Sequence, residues 1–246
     1  MKYFIDTEFQ HGFHKPLFGK NRHFIDLISI GMVAEDGREL YAISNEFDLK
    51  SAWKDEWLRE NVLRSIYNEL LSKEHVARYY HSGLVEPFSY KTLKTLIGWN
   101  GKSNKRIAEE IVAFTTGDIA GDKIDGTKRM IIHQSNPEFY AYYADYDWVL
   151  FCSLFGKMIN LPKGFPMYCN DLKQTLDEKV KSLKSISIDI PERFELIKNK
   201  NFFKWDIQDK FELIQGSINY PKASNEHNAL SDAKFNRDLY LFLQTL

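Results

Sequence analysis

The first 45 residues contain three stretches in which apolar, β-branched and aromatic residues dominate. They span Tyr3–Phe9, Phe24–Ala34 and Glu39–Ser44, and their length and composition are typical of β-strands. Asp36-Gly37 separates the second stretch from the third, and Asp-Gly supplies the positive φ angles that a tight hairpin turn requires. The pattern therefore predicts three antiparallel strands at the start of the fold.

Later stretches alternate between helical and strand patterns. Ser103 is a candidate N-cap for the helix that follows it, and Gly117 is its candidate end. The predicted elements are a helix over Ala52–Leu63 whose apolar face carries Trp53 and Trp57, a helix over 104–116, a strand over Glu138–Tyr143, and helices over Trp148–Phe155, 171–184 and Leu230–Leu243. Strands followed by strand–helix units predict one α/β domain over residues 1–246, with a mixed sheet flanked by helices.

Three segments lack a clean period and are interpreted as insertions, at about 64–102, 117–130 and 180–220. The first overlaps the stretch 71–106, which carries seven Lys or Arg against two Glu and several aromatic residues. Basic groups interleaved with aromatic rings suit phosphates and unstacked bases. A solvated, Lys-rich surface is the alternative interpretation.

Bulk composition narrows the class of protein. The net charge is −1 and the isoelectric point about 6.7, so the overall charge does not indicate a nucleic-acid binder. The two cysteines, Cys152 and Cys169, have no paired spacing, and no apolar run reaches the ~18 residues that a membrane span needs. We therefore expect a cytoplasmic protein without a membrane partner.

Two carboxylates interrupt the first predicted strand. Asp6 and Glu8 are two positions apart, so in a strand they project from the same face. Carboxylates that close resist joint ionisation unless a cation lies between them, and Mg²⁺ or Mn²⁺ prefers such oxygen ligands. The alternative is an edge strand with two solvated acids.

Further acidic positions lie at two predicted helix starts. Asp145 and Asp147 occur where the strand at 138 meets the next helix, with Asp147 at a predicted N-cap. Near the end of the chain, His227 precedes Asp232 by five residues. If the last helix begins near Ala229, His227 lies on the preceding loop and Asp232 in the first turn, so both would face one site.

The order of these motifs resembles the DEDDh group of 3′→5′ exonucleases, which share an RNase H-like fold. That group has an Asp-x-Glu motif, then an Asp at a helix start, then a His-x4-Asp motif. The matching positions here are Asp6, Glu8, Asp147, His227 and Asp232. The run "YDWVLFCSLFG" looks like the second motif of the family, which favours Asp147 over Asp145.

The stretches "YFIDTEF", "IDLISIGMVAEDGRELYAIS" and "YADYDWVLFCSLFG" look like a bacterial subfamily of polyadenylate-specific 3′-exoribonucleases. The resemblance covers residues 2–63, about 103–116, 137–171 and 224–245. It implies a homodimer that acts on an RNA 3′ end.

The resemblance implies a two-metal-dependent 3′→5′ exoribonuclease. Four carboxylates, from Asp6, Glu8, Asp147 and Asp232, would hold two Mg²⁺ or Mn²⁺ ions at the attacking and leaving oxygens of the phosphodiester. His227 would take the proton of the attacking water, and the product would be a nucleoside 5′-monophosphate.

Aromatic and imidazole side chains follow the Asp-x-Glu motif. Phe9 is a candidate contact to the terminal base or sugar, with a core position as its alternative. His11, His14 and His23 are interpreted as a basic lip near the site rather than as metal ligands.

Two other functions remain open on the sequence. The same chemistry could act on DNA, because only contacts to the 2′-OH distinguish the two substrates. A catalytically inactive nucleic-acid-binding module of the same fold is the other alternative.

Overall fold

The computed structural model describes residues 1–14, 20–72, 87–116, 136–182 and 207–246 of the chain. These residues form a mixed sheet of five strands, β1 Lys2–His14, β2 Arg22–Ala34, β3 Glu39–Ile43, β4 Glu138–Ala141 and β5 Asn170–Asp171. The strand order is β3-β2-β1-β4-β5. The first three strands pair antiparallel, as predicted, whereas β4 and β5 join parallel to β1.

Helices cover both faces of the sheet. Their bounds are α1 Leu49–Lys54, a π-helical turn Leu58–Leu63, α2 Arg64–Ser72, α3 Tyr90–Asn100, α4 Asn104–Thr116, α5 Asp145–Ser153, a 3₁₀ turn Met158–Asn160, α6 Leu172–Ser182, α7 Ile207–Gln215 and α8 Ala229–Leu243. Within the described residues, none of these helices is long and apolar enough to cross a membrane.

Strand β1 lies at the centre of the sheet and is held there by packing and hydrogen bonds from the surrounding helices. Ile5 of β1 and Ile30 of β2 are fully buried against Ile111 of α4 and Phe151 of α5. On the other face, the amide of Asn236 in α8 donates to the backbone oxygen of Ile5 at 2.9 Å. Strand β1 is therefore fixed from both faces at the point where its acidic residues begin.

Strands β1 and β2 are longer than predicted and form an arm beyond the rest of the sheet. Strand β3 pairs with β2 only from Ser29 to Val33, and β4 pairs with β1 only from Lys2 to Phe4. The outer parts of β1 and β2, residues 9–14 and 22–27, therefore pair only with each other among the described residues. We call this two-stranded ribbon the arm.

The helix predicted over Ala52–Leu63 is wrong in its continuity. Helix α1 ends at Lys54, because the backbone of the next residue, Asp55, is extended. The Asp55 carboxylate then accepts from the backbone N–H of Leu58 at 3.0 Å. This cap restarts the chain as the π-helical turn. The break turns Trp57 outward, with 54% of its surface exposed, instead of into the predicted apolar face.

Two segments interpreted as irregular contain helices in the part that the structure describes. Helices α2 and α3 lie within 64–102 and bury Ile66, Leu70 and Leu93 in a common cluster. Helix α7 lies within 180–220. Residues 73–86, 117–135 and 183–206 lie outside the described residues. These ranges include Gly117, the candidate helix end, and the segment at 117–130 that is interpreted as an insertion.

Candidate active site

Asp6 and Glu8 lie on the same face of β1, as the strand period predicts. They sit opposite Gly31 and Ser29 of β2. The pairing then shifts register between Glu8 and Phe9, because Ile28 of β2 is left without an opposite residue. A bulge of this kind bends the strand and re-aims the side chains beside it, so the acids lie where the regular sheet gives way to the arm.

Asp232 reaches this face from the first turn of α8. Asn228 is the N-cap, and its side-chain oxygen accepts from the backbone N–H of Ser231 at 3.1 Å. Gly31 lets the helix start approach the strand, because a Cβ at this position would overlap the backbone of Ala229. The predicted start of the last helix near Ala229 is confirmed, with His227 on the loop before it and Asp232 in its first turn.

These elements bring three carboxylates together. One oxygen from each of Asp6, Glu8 and Asp232 lies within 4.8 Å of the others. Burial, followed by repulsion from neighbouring carboxylates, holds the pKa of Asp6 well above its usual value. Burial and the charges of Asp232 and Asp147 raise the pKa of Glu8 to about 8.

Asp147 approaches the same carboxylates from the opposite side of β1. Its Oδ1 accepts from the backbone N–H of Thr7 at 2.8 Å and from the Thr7 hydroxyl at 2.6 Å. Continued parallel pairing would place residue 143 beside Thr7, but β4 ends at Ala141 and Tyr143 has a φ of +57°. The Asp147 side chain thus satisfies a strand N–H that β4 no longer reaches.

The predicted N-cap position of Asp147 is wrong, because α5 begins earlier. Ala144 is the N-cap, and Asp147 lies in the first helical turn. Asp147 is buried and its charge raises the pKa of both Asp6 and Glu8, whereas Asp145 is exposed. Asp147 lies outside the 4.8 Å group, since it is tied to Thr7.

Asp6, Glu8 and Asp232, with Asp147 beside them, are called the acidic set, and their electrostatics fit a divalent cation. Burial raises the pKa of Asp147 to about 6 against the lowering effect of the Thr7 hydrogen bonds. Burial also raises the pKa of Asp232 to about 6, opposed by the backbone N–H of His227. Four clustered carboxylates that repel one another favour protons or a cation, and hard divalent ions prefer oxygen donors of this kind.

His227 is held at the edge of the acidic set in a strained conformation. Its φ is +64°, a region that non-glycine residues rarely occupy. Its backbone N–H donates to Oδ2 of Asp232 at 3.1 Å, and its ring forms a T-shaped pair with the Trp57 ring at a centroid distance of 4.8 Å. Strain of this kind clusters at functional sites.

A cavity of about 340 Å³ opens beside the acidic set. It is lined by Glu8, Phe9, His11, Asp55, Trp57 and Leu58. Phe9, the candidate substrate contact, is half-buried, and its ring stacks on Tyr146 of α5 at 5.3 Å. The cavity therefore combines a carboxylate wall with aromatic walls.

Four residues that shape the site were not predicted from the sequence to belong to it. Thr7 holds Asp147, Gly31 admits α8, Asn236 ties α8 to β1, and Trp57 contacts His227. Gly31 carried a readable signal, since a lone glycine inside a strand indicates close backbone approach. Asn236 and Thr7 carried none, because a single polar residue in a helix or strand has no distinctive spacing.

Comparison with known proteins gives two relatives. Two proteins from two strains of Mycobacterium tuberculosis, each named 3′-5′ exoribonuclease, are 32% identical to this chain over 179 residues. The match covers 73% of this chain and 76% of each relative. No protein-family model matches the sequence.

Proposed function

We propose that this chain, which belongs to the same family as these two mycobacterial 3′-5′ exoribonucleases, hydrolyses RNA from its 3′ end and releases nucleoside 5′-monophosphates. One observation carries the proposal. Asp6 and Glu8 of β1 converge with Asp232 of α8 to within 4.8 Å, although the two elements are more than 200 residues apart in the chain. Carboxylates that lie so close together lower the stability of the folded protein unless a cation or a proton binds them.

The proposed metal ligands are Asp6, Glu8, Asp147 and Asp232. They would hold two Mg²⁺ or Mn²⁺ ions, which supply Lewis-acid stabilisation of the charge on the reacting phosphate. The raised pKa of Glu8, about 8, supports this assignment, because a site that attracts protons in this way also attracts cations. Asp145, the alternative ligand, is exposed.

His227 is the proposed general base. Its backbone hydrogen bond to Asp232 fixes the start of its side chain beside the acidic set. The Trp57 ring, which lines the cavity together with Glu8, limits the directions in which the imidazole can turn. A general base must lie within hydrogen-bond reach of the proton it removes, and this restraint supports that role.

The proposal includes an RNase H-like fold. Three antiparallel strands followed by two parallel strands, with helices on both faces, support it. The proposed compartment is the cytoplasm, and the free thiols of Cys152 and Cys169 are compatible with its reducing conditions. The homodimer implied by the sequence resemblance stays a prediction.

The test uses 5′-labelled single-stranded RNA and the equivalent DNA with Mg²⁺ or Mn²⁺. We expect a ladder of 3′-shortened RNA products that disappears with EDTA and in an Asp6→Asn variant. A ladder on DNA alone would move the protein to DNA processing. Binding without cleavage of either strand would instead support an inactive binding module.

A further inference from the structure

We propose that a row of rings along the arm binds the single-stranded RNA immediately 5′ to the cleavage site. This inference rests on the function proposed above and assigns a role to the arm, which the chemistry at the acidic set does not use. The row consists of the side chains of Tyr146, Phe9, His11, His23 and Phe13.

Ring contacts connect the row without a gap. Tyr146 stacks on Phe9 with centroids 5.3 Å apart, and Phe9 lies 6.1 Å from His11. His11 lies 6.3 Å from His23 of the neighbouring strand, and His23 meets Phe13 at 5.4 Å. Each ring therefore has a neighbour at a distance typical of interacting aromatic pairs.

Strand geometry explains why the rings share one face. Phe9, His11 and Phe13 are at alternate positions of β1, so they project from the same side. His23 lies directly opposite Phe13 in the antiparallel pairing, and opposite residues also share a face. The other face of the arm is built differently, with Gly12 directly against the ring of Phe24.

The rings at both ends of the row are exposed to solvent and are not part of the core. Phe13 is 63% exposed and Tyr146 53% exposed, and His11 and His23 are also exposed. Apolar rings of this size cost free energy in water unless a partner covers them. Their exposure in a row, rather than singly, indicates a binding surface.

The row continues into the cavity beside the acidic set. Phe9 and His11 belong to the row and also line the cavity that Glu8 lines. By the strand period Phe9 and His11 project from the face of β1 opposite to Glu8, so the row and the carboxylate wall meet across the edge of β1 beyond Phe4, where β4 no longer pairs with it. A strand of RNA whose 3′ end occupies the cavity would leave it around this edge and then along these rings. This continuity is what selects RNA as the occupant of the surface.

The chemistry of the arm also fits this occupant. Flat rings stack on any base, and such stacking is independent of sequence. Arg22 lies exposed at the outer end of the arm and Lys20 lies exposed two residues before it, where their charges suit the phosphates of the same strand. Bases in a duplex already stack on each other, so the surface favours single strands.

The length of the row sets the length of RNA that it contacts. Phe13 lies four positions after Phe9 in an antiparallel strand, a span of about 14 Å at ~3.4 Å per residue. Stacked nucleotides repeat at about 3.4 Å. The row therefore accommodates about four nucleotides beyond the one in the cavity.

The test compares RNA substrates of two, four, six and twelve nucleotides with Phe13→Ala, and with His23→Ala as a second variant of the row. Tyr168→Ala is the matched control, because Tyr168 is 64% exposed and lies outside the arm. We expect kcat/KM of the Phe13→Ala enzyme to fall about tenfold on the twelve-nucleotide RNA. On the dinucleotide, which does not reach Phe13, the change should stay within about twofold.

Binding gives a readout that does not depend on cleavage. Fluorescence anisotropy with a labelled twelve-nucleotide RNA in EDTA should show an affinity about tenfold weaker for Phe13→Ala. The Phe13→Trp variant should retain the affinity of the unaltered protein, because indole also stacks. The Tyr168→Ala control should bind like the unaltered protein.

The outcomes separate this inference from the proposed function. Equal losses on the dinucleotide and the long RNA, or unchanged values for Phe13→Ala and His23→Ala on both, would overturn the role of the arm. Phe13-dependent binding without any cleavage would leave the arm in place and overturn the exonuclease activity.

Discussion

Asp145 and Asp147 lie two residues apart in the first turn of α5, but only Asp147 faces the sheet. Asp147 is buried, bound to Thr7 and electrostatically linked to Asp6 and Glu8. Asp145 is exposed to solvent. The pair therefore provides a mutation and its matched control within one helical turn.

We expect Asp147→Asn to lower the exonuclease rate by at least about 100-fold, whereas Asp145→Asn should change it by less than about threefold. The amide oxygen of the introduced asparagine can still accept from Thr7, so the Asp147→Asn variant loses charge rather than its local structure. Initial rates on labelled RNA, with circular dichroism as the folding control, measure both effects. A large loss for Asp145→Asn alone would reverse the assignment.

His227 allows a separate test of proton transfer, because its conformation restricts the useful substitutions. Asn tolerates the left-handed backbone region, so His227→Asn keeps the N–H that donates to Asp232. We expect kcat to fall by about 10²–10⁴ while Mg²⁺ still raises the melting temperature as in the unaltered protein. If Mg²⁺ no longer stabilised this variant, His227 would be a structural part of the metal site instead.

At the scale of the elements, helix α8 meets the sheet at two contacts, one with β2 and one with β1. Gly31 admits the start of α8, and Asn236 binds the backbone of Ile5. The α8 residues of these contacts, Ala229 and Asn236, lie on either side of Asp232 in the chain. The position of the Asp232 carboxylate relative to Asp6 therefore depends on how closely the helix meets the sheet.

We expect Gly31→Ala to reduce activity by at least about tenfold, because the added methyl group would push Ala229 and the start of α8 away from β2. Gly98→Ala is the matched control, since nothing lies within 4 Å of a Cβ on this residue of α3. It should leave activity unchanged and raise stability slightly, as Ala favours a helix over Gly. Full activity of Gly31→Ala would show that the approach of α8 does not set the site.

The elements also show what the sequence could predict. The three antiparallel strands, the helix after Ser103 and the last helix followed from local periodicity and capping, and they are confirmed. The break at Asp55 was missed, because one side-chain cap outweighs an otherwise helical pattern. The arm was missed because His and Gly residues interrupt its apolar alternation, while cross-strand pairing sustains it.

In the candidate site, too, local spacing was predictable and contacts between separate elements were not. The spacing of Asp6 and Glu8 placed them on one face, because strand period is a local property. The contact of Asp147 with Thr7 and that of Trp57 with His227 depend on where separate elements meet. Local patterns contain no information about such contacts, so the partners of the acids were visible only in the structure.

At the scale of the whole molecule, the acidic set opposes folding when no cation is bound. The pKa of Glu8 is about 8 in the folded protein against a reference value of 4.5, and those of Asp147 and Asp232 are raised to about 6. Between about pH 4.5 and pH 8 the folded chain therefore binds protons that the unfolded chain does not. Linkage then requires the free energy of unfolding to fall as pH rises through this window.

We expect the melting temperature in EDTA to fall between about pH 5.5 and pH 8, and Mg²⁺ to raise it at pH 8 by about 5 °C more than at pH 5.5. The Glu8→Gln variant should lose part of this pH dependence, because its side chain does not ionise whereas those of Asp6, Asp147 and Asp232 still do. Glu46→Gln, which removes an exposed carboxylate, should behave like the unaltered protein. A Mg²⁺ effect of equal size at both pH values would argue against a metal site made of these acids.

The separation of Asp6 from Asp232 along the chain has a consequence for synthesis. At about 5–20 residues per second, a ribosome needs roughly 10 to 45 s to add Asp232 after Asp6. During that time the first strand exists without the last helix, and no complete acidic set can form. The proposed metal site is therefore incomplete on the ribosome until helix α8 has been made, and the nascent chain is expected to lack the proposed activity while it is still attached to its own messenger.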